Sequence, residues 1–126
     1  MTWIAIALGG ALGSMARHGV SHLAQTSWMA TRFPVGIAIV NLAGCLAVGL
    51  LAGLVAAERI RLPLHGREFV FVGLLGGFTT FSTFGLDTFL LATTRFAWLA
   101  FWNVLLQVGG GLFLVWLGYQ LGTAGR

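Results

Sequence analysis

One run of residues, Gly76-Gly77-Phe78-Thr79-Thr80-Phe81-Ser82-Thr83-Phe84, joins a glycine pair to hydroxyls and to phenylalanines spaced i, i+3. It lies inside an apolar segment from about 69 to 91, where a plain greasy helix would be expected. Glycines weaken a helix, and β-hydroxyls compete for its backbone hydrogen bonds. The run therefore predicts a break in the helix, with carbonyls freed at bilayer depth. Irregular backbone at that depth survives only where it is packed in protein or lines a wet cavity. A bound cation is one way to satisfy freed carbonyls. An aromatic ring is negative on its face and positive on its edge. Ring edges, hydroxyl donors and an absence of acid together suit a small hydrated anion that must exchange water for donors. On a bare helix Phe78, Phe81 and Phe84 would line one face, for which aromatic packing is the plain alternative.

Other polar side chains fall inside apolar segments, where such residues are functional candidates by default. Asn41 lies early in the second segment, and Asn103 and Gln107 lie at i, i+4 on one face of the fourth. Each amide offers two donor hydrogens and a carbonyl acceptor. They read either as interhelical glue or as donors along an anion path. Arg17 stands near the end of the first segment, either facing an aqueous vestibule, where it would concentrate anions, or snorkelling to the interface. Asp87 is the one acid within a predicted span, and a pair with Arg17 is conceivable. His18 and His22 are four apart, but two ligands make a poor metal site. Cys45 is the sole cysteine and reads as a small buried apolar residue. No nucleophile elbow or metal motif is present, so no enzyme activity is expected.

These residues need a membrane-spanning frame, and the composition supplies one. Of 126 residues, 58% are apolar and only 8% charged, too few for a soluble surface. The net charge of +4 is made of scattered arginines, which argues for headgroup contacts and against nucleic acid. About 20 apolar residues cross a core roughly 30 Å thick. Four stretches qualify, at about 3–23, 34–57, 69–91 and 96–122. The first reads as a retained membrane helix and not as a removable leader. The connections are Gln25–Phe33, Glu58–Glu68 and the very short Thr93–Arg95, which makes the last two helices antiparallel neighbours. Glycines such as Gly9, Gly10, Gly13, Gly44, Gly49 and Gly118 predict close helix packing. The expected fold is an all-α membrane protein: one domain of four transmembrane helices with a break in the third. Arg59, Arg61, Arg67 and Arg126 would lie on one side, against Arg17, Arg32 and Arg95 on the other. So small a bias permits insertion in both orientations, and hence an antiparallel dual-topology homodimer.

The residues Gly76 to Phe84 resemble the GG-x-TTFSTF signature of the small bacterial fluoride channels, the Fluc or CrcB family. Gly10, Gly13 and Arg17 are similar to its G-x-x-G-x-x-x-R first helix, and Gly36, Asn41, Gly44 and Gly49 to its second-helix pattern. The resemblance implies a dual-topology homodimer with two fluoride pores in the bacterial inner membrane. It implies that Phe81 and Phe84 face fluoride through their ring edges and that Asn41 donates to the ion. Ser82 and Thr83 would continue a polar track, Asn103 would lie on the pore side of the fourth helix, and Arg17 would serve the vestibule. Backbone carbonyls of Gly76 and Thr79 from both copies would hold a structural Na+ at the dimer centre, leaving Phe78 as packing. Ile37 and His18 depart from residues common in the family, outside the implied pore core.

The expected activity is passive, selective export of fluoride across the inner membrane, lowering cytoplasmic fluoride. The expected partners are fluoride, a second copy of the chain and the lipid bilayer. The alternative is a small dual-topology proton-coupled exporter of organic cations. Such an exporter needs an embedded carboxylate, and the first helix has none. A non-transporting scaffold subunit is a third possibility, with no use for hydroxyls beside a helix break.

Overall fold

The computed structural model describes residues 1–27 and 32–124. Arg126 and part of the Gln25–Phe33 connection lie outside the described residues. Among the described residues all regular structure is helical: α1 (Thr2–Ser27), α2 (Val35–Ala56), α3 (residues 64–78), α4 (Phe81–Ala92) and α5 (Ala97–Thr123). Three stretches, Val35–Ala56, Leu64–Ala92 and Ala97–Thr123, are long and apolar enough to cross a membrane. At 26 residues α1 is long enough as well, but its second half carries Arg17, His18, Ser21 and His22.

Three features differ from the sequence expectation. Helix begins at Leu64, inside the Glu58–Glu68 stretch read as a connection. Pro63 is extended there, at φ −62° and ψ 162°, and a proline just outside a helix start gives up no intrahelical donor. The turns of Glu68–Leu75 and Leu105–Gly110 widen to π-helical bonding, which leaves no mark in apolar periodicity. The interruption of the third span falls two residues after the glycine pair. Gly76–Phe78 is helical, whereas Thr79 (φ −87°, ψ 157°) and Thr80 (φ −150°, ψ 121°) are extended.

The glycines act as contact surfaces instead. A Cβ at Gly13 would meet the Leu74 carbonyl and, at 2.8 Å, the Phe78 nitrogen; one at Gly77 would meet the Gly10 carbonyl at 2.7 Å. Backbone-to-backbone approach of this kind fixes α1 against α3. The same device joins α2 to the C-terminal half of α5, where Gly49 abuts Val115, and Gly118 abuts Leu46 and Leu50. Two tight helix pairs result, and α4 closes the bundle by packing on the first half of α5. At one end Thr2 Oγ1 lies 3.3 Å from His65 Nδ1, and Arg59 donates to the Ala124 carbonyl. That end therefore gathers the start of α1, the end of α5 and the α2–α3 connection.

Candidate functional site

The interruption at Thr79–Thr80 is held by a side chain from another helix. Asn41, in α2, accepts the Thr80 N–H at its Oδ1 (2.9 Å) and donates from Nδ2 to the Thr80 carbonyl (3.1 Å). One amide thus pairs with both backbone groups of one residue, as a neighbouring strand would. In an unbroken helix the Thr80 N–H would return to the Gly76 carbonyl. The Asn41 amide takes that donor away. The break is where it is because α2 presents an amide there.

Thr80 then starts the next helix. Its Oγ1 accepts from the Thr83 N–H at 3.3 Å, an N-cap arrangement. The Ser82 and Thr83 hydroxyls each lie 3.2 Å from the same oxygen. The three hydroxyls form one cluster at the head of α4. Thr79 Oγ1 instead returns to the Leu75 carbonyl at 3.0 Å.

From Asn41 the polar contacts continue into α5. Asn41 Nδ2 donates to Gln107 Oε1 (2.6 Å), Gln107 Nε2 to Asn103 Oδ1 (2.8 Å), and Asn103 Nδ2 to Thr88 Oγ1 (2.8 Å). Thr88 Oγ1 donates to the Phe84 carbonyl at 2.7 Å. Asn103 is fully buried and Gln107 is 8% exposed, so they bond to protein and not to water. Gln107 lies within the widened turn of α5.

A cavity of about 350 Å³ opens beside this chain of amides. Asn41, Thr80, Gln107, Phe81 and Phe84 contribute to its wall, and no charged residue does. The Phe81 and Phe84 rings are tilted by 48° with centroids 5.5 Å apart. Phe84 is buried, but Phe81 is 82% exposed on the single chain. Gly76 and Ser82 are exposed too, so the side bearing the break is uncovered. Phe78 packs beside Gly44, where a Cβ would lie 3.5 Å from its ring.

Arg17 does not pair with Asp87. Its Nη1 lies 3.5 Å from the Thr79 carbonyl, which puts the guanidinium at the break itself. Asp87 lines a separate cavity together with Arg32 and Phe96, and the Arg32 guanidinium sits 4.4 Å from the Phe96 ring centroid. His18 and His22 are exposed with ring centroids 6.1 Å apart. Among the described residues no three His, Cys, Asp or Glu side chains converge as a metal site.

The structure brings Asn41, Ser82, Thr83, Phe81, Phe84 and Asn103 to one region, with Gly76 and Thr79 at its edge. Thr88 had no part in the sequence reading; Thr80 entered it only as one hydroxyl of the central run, and Gln107 as glue or an anion-path donor beside Asn103. Thr80 carries a signal in retrospect, since threonine is among the residues preferred for capping a helix start with a side-chain oxygen. Thr88 carries one also. Thr88 lies between one and two turns before the Thr93–Arg95 connection and Asn103 about two turns after it, so antiparallel packing brings them within reach of each other.

The family model described as CrcB-like protein, Camphor Resistance (CrcB), matches residues 4–119. The chain is 43% identical to a fluoride-specific ion channel FluC of Methylobacillus flagellatus over 92% of its own length and 90% of the relative's. It is 41% identical to the Solibacter usitatus protein of the same name, over 96% and 98% of the two chains. A Paracoccus denitrificans relative, also so named, is 53% identical over 71% of this chain and 68% of its own.

Proposed function

This chain belongs to the CrcB family, and from that premise we propose that it is a fluoride-selective ion channel that exports fluoride passively across the bacterial inner membrane. It is a multi-pass membrane protein with at least three spans by length and composition. We count α1 as the fourth, since its glycines bind it against α3 along the whole approach.

The observation that carries the reading is the uncharged cavity wall in which an amide, a hydroxyl cluster and two phenylalanine rings meet at a helix interruption. Fluoride gives up a strongly held hydration shell only if donors replace it. Fixed neutral donors do this without the deep trap that a cationic pocket would make, and conduction needs binding weak enough to release. In this reading Asn41 donates to the ion, Phe81 and Phe84 meet it with ring edges, and the Ser82 and Thr83 hydroxyls continue the path toward Asn103. Arg17 draws anions toward the mouth.

The functional unit in this reading is an antiparallel homodimer of oppositely inserted copies. The exposed flank that carries Phe81, Gly76 and Ser82 supports it, because a channel wall left open on one side needs a second copy to close it. A structural Na+ at the centre would be held by the Gly76 and Thr79 carbonyls of both copies, supplying a fixed positive charge. The fit is partial on one chain. Asn41 diverts the helical partner of the Gly76 carbonyl, which favours the site. The Thr79 carbonyl also faces Arg17, so the guanidinium would have to withdraw before a cation shared that oxygen.

The rival, a proton-coupled cation exporter, requires a carboxylate in the transport cavity. Asp87 lines a different cavity, beside Arg32. Efflux from liposomes containing the purified protein tests the proposal. Fluoride should leave and chloride should stay, and folded dimeric protein that releases neither would end this reading.

A further inference from the structure

Donor accounting around Asn41 gives Gln107 a second role. The Asn41 Nδ2 group has two hydrogens. One goes to the Thr80 carbonyl and the other to Gln107 Oε1 at 2.6 Å. Its Oδ1 is occupied by the Thr80 N–H. In this state the amide has no hydrogen to offer an anion, and a carbonyl oxygen stands where the anion would bind.

The remaining bonds show how that oxygen can be replaced by a donor. Every link from Asn41 runs in one direction: Asn41 to Gln107, Gln107 to Asn103, Asn103 to Thr88, Thr88 to the Phe84 carbonyl. The chain ends on a hydroxyl, which both donates and accepts. It can therefore be satisfied in the opposite direction. Thr88 would donate to Asn103 Oδ1, and Asn103 Nδ2 to Gln107 Oε1. Gln107 Nε2 would then point back toward Asn41. Two amide donors would then face each other with no acceptor between them, and both can be satisfied by one anion held beside them in the cavity that Asn41 and Gln107 both line. The two ends of an amide are close in size, so the change requires rotation about terminal torsions and no movement of helices. Burial of Asn103 and Gln107 excludes water from supplying other partners, so the links reverse together.

We propose that fluoride reverses this amide chain, that Gln107 is an anion-binding residue which masks Asn41 when the site is empty, and that Thr88 is the positioning residue that lets the reversal end in a satisfied bond. The inference rests on the chain being a fluoride path.

The test uses the full-length protein in liposomes. Fluoride efflux is measured against fluoride concentration for the wild type, Thr88→Val and Thr88→Ser. Valine keeps the shape but removes two hydrogen bonds from the empty arrangement, Asn103 to Thr88 and Thr88 to the Phe84 carbonyl, and only one from the reversed arrangement. The half-saturating fluoride concentration should therefore fall roughly three- to tenfold for the one-bond difference. Serine should restore it to within about twofold, a rescue that loss of packing alone would not show. In the wild type, solid-state NMR should show 19F dephasing of the Gln107 side-chain nitrogen when fluoride is added, with the Gln25 and Gln120 nitrogens as controls. Equal half-saturation in all three proteins, a rise with valine, serine shifted as far as valine, or no dephasing at Gln107 would overturn the inference while leaving a conducting wild type as a fluoride channel. A wild type that does not conduct fluoride would overturn the functional reading and this inference with it.

Discussion

Asn41→Ala removes the clamp on the helix interruption, and its cost can be worked from the bonds. The side chain makes three: to the Thr80 carbonyl at 3.1 Å, from the Thr80 N–H at 2.9 Å, and to Gln107 Oε1 at 2.6 Å. Hydrogen bonds inside membrane bundles average about 0.6 kcal/mol, and those in proteins generally roughly 0.5–1.5 kcal/mol. Three such bonds sum to about 2–4 kcal/mol, with the upper part set by how completely Thr80 and Gln107 are left without partners. Asn41→Asp separates the two functions of the residue. A carboxylate still accepts the Thr80 N–H, but it turns two carbonyl oxygens against a negative charge and offers no donor. Reversible unfolding in mixed detergent micelles measures stability, and fluoride efflux from liposomes measures conduction. Asn41→Ala should lose both, and Asn41→Asp should lose conduction. A cycle with Gln107→Leu should show coupling of about 1 kcal/mol, as expected for residues in direct contact. If Asn41→Ala unfolds within about 0.5 kcal/mol of the wild type, the amide does not hold the break and the argument fails.

Other outcomes follow from the same geometry. Gly13→Ala places a Cβ 2.8 Å from the Phe78 nitrogen and should destabilise the α1–α3 contact by about 1–3 kcal/mol in the same unfolding assay. Gly19→Ala, with nothing within 4 Å, should be neutral or stabilising by up to about 1 kcal/mol; equal losses at both positions would refute the close-approach account. Phe81→Ile and Phe84→Ile should each cut fluoride efflux sharply, and only the second, buried at 8% exposure, should also lower the stability of the single chain. Wild-type flux from both would reduce the rings to packing. Replacing Na+ by a large organic cation during purification and assay should impair efflux if the Gly76 and Thr79 carbonyls hold a small ion, and flux indifferent to the cation would remove that site.

The sequence made the class of the protein legible, because a chain with so few charges has nowhere to be except lipid. It also indicated the antiparallel pairing after Thr93–Arg95, which the Thr88–Asn103 hydrogen bond displays. The position of the break was not legible from local composition. Glycine is the weakest helix former nearby, but Gly76 and Gly77 stay helical because α1 packs on that turn, where its neighbours leave room for no larger residue at Gly77. What opens the chain is a competing partner for the Thr80 backbone, and that partner lies 39 residues away. The contact of Arg17 was not legible for a related reason: its Nη1 lies 3.5 Å from the Thr79 carbonyl at the break, a partner 62 residues away that no local spacing announces.

One amide therefore serves two ends that conflict. To hold Thr80 extended, Asn41 must commit its oxygen and one hydrogen to the backbone. To bind an anion, it must keep the other hydrogen available in an apolar interior, where an idle donor is destabilising. A residue left with that hydrogen free would be a permanent local defect. A residue that buried it against an immovable acceptor would be blind to the ion. Gln107 meets both demands because its amide is an acceptor at one end and a donor at the other, and because Asn103 and Thr88 behind it can satisfy either orientation. An apolar residue at 107 would leave Asn41 partly unsatisfied, and an acid would lock it. Glutamine is the side chain that keeps the empty site satisfied and still yields to an anion.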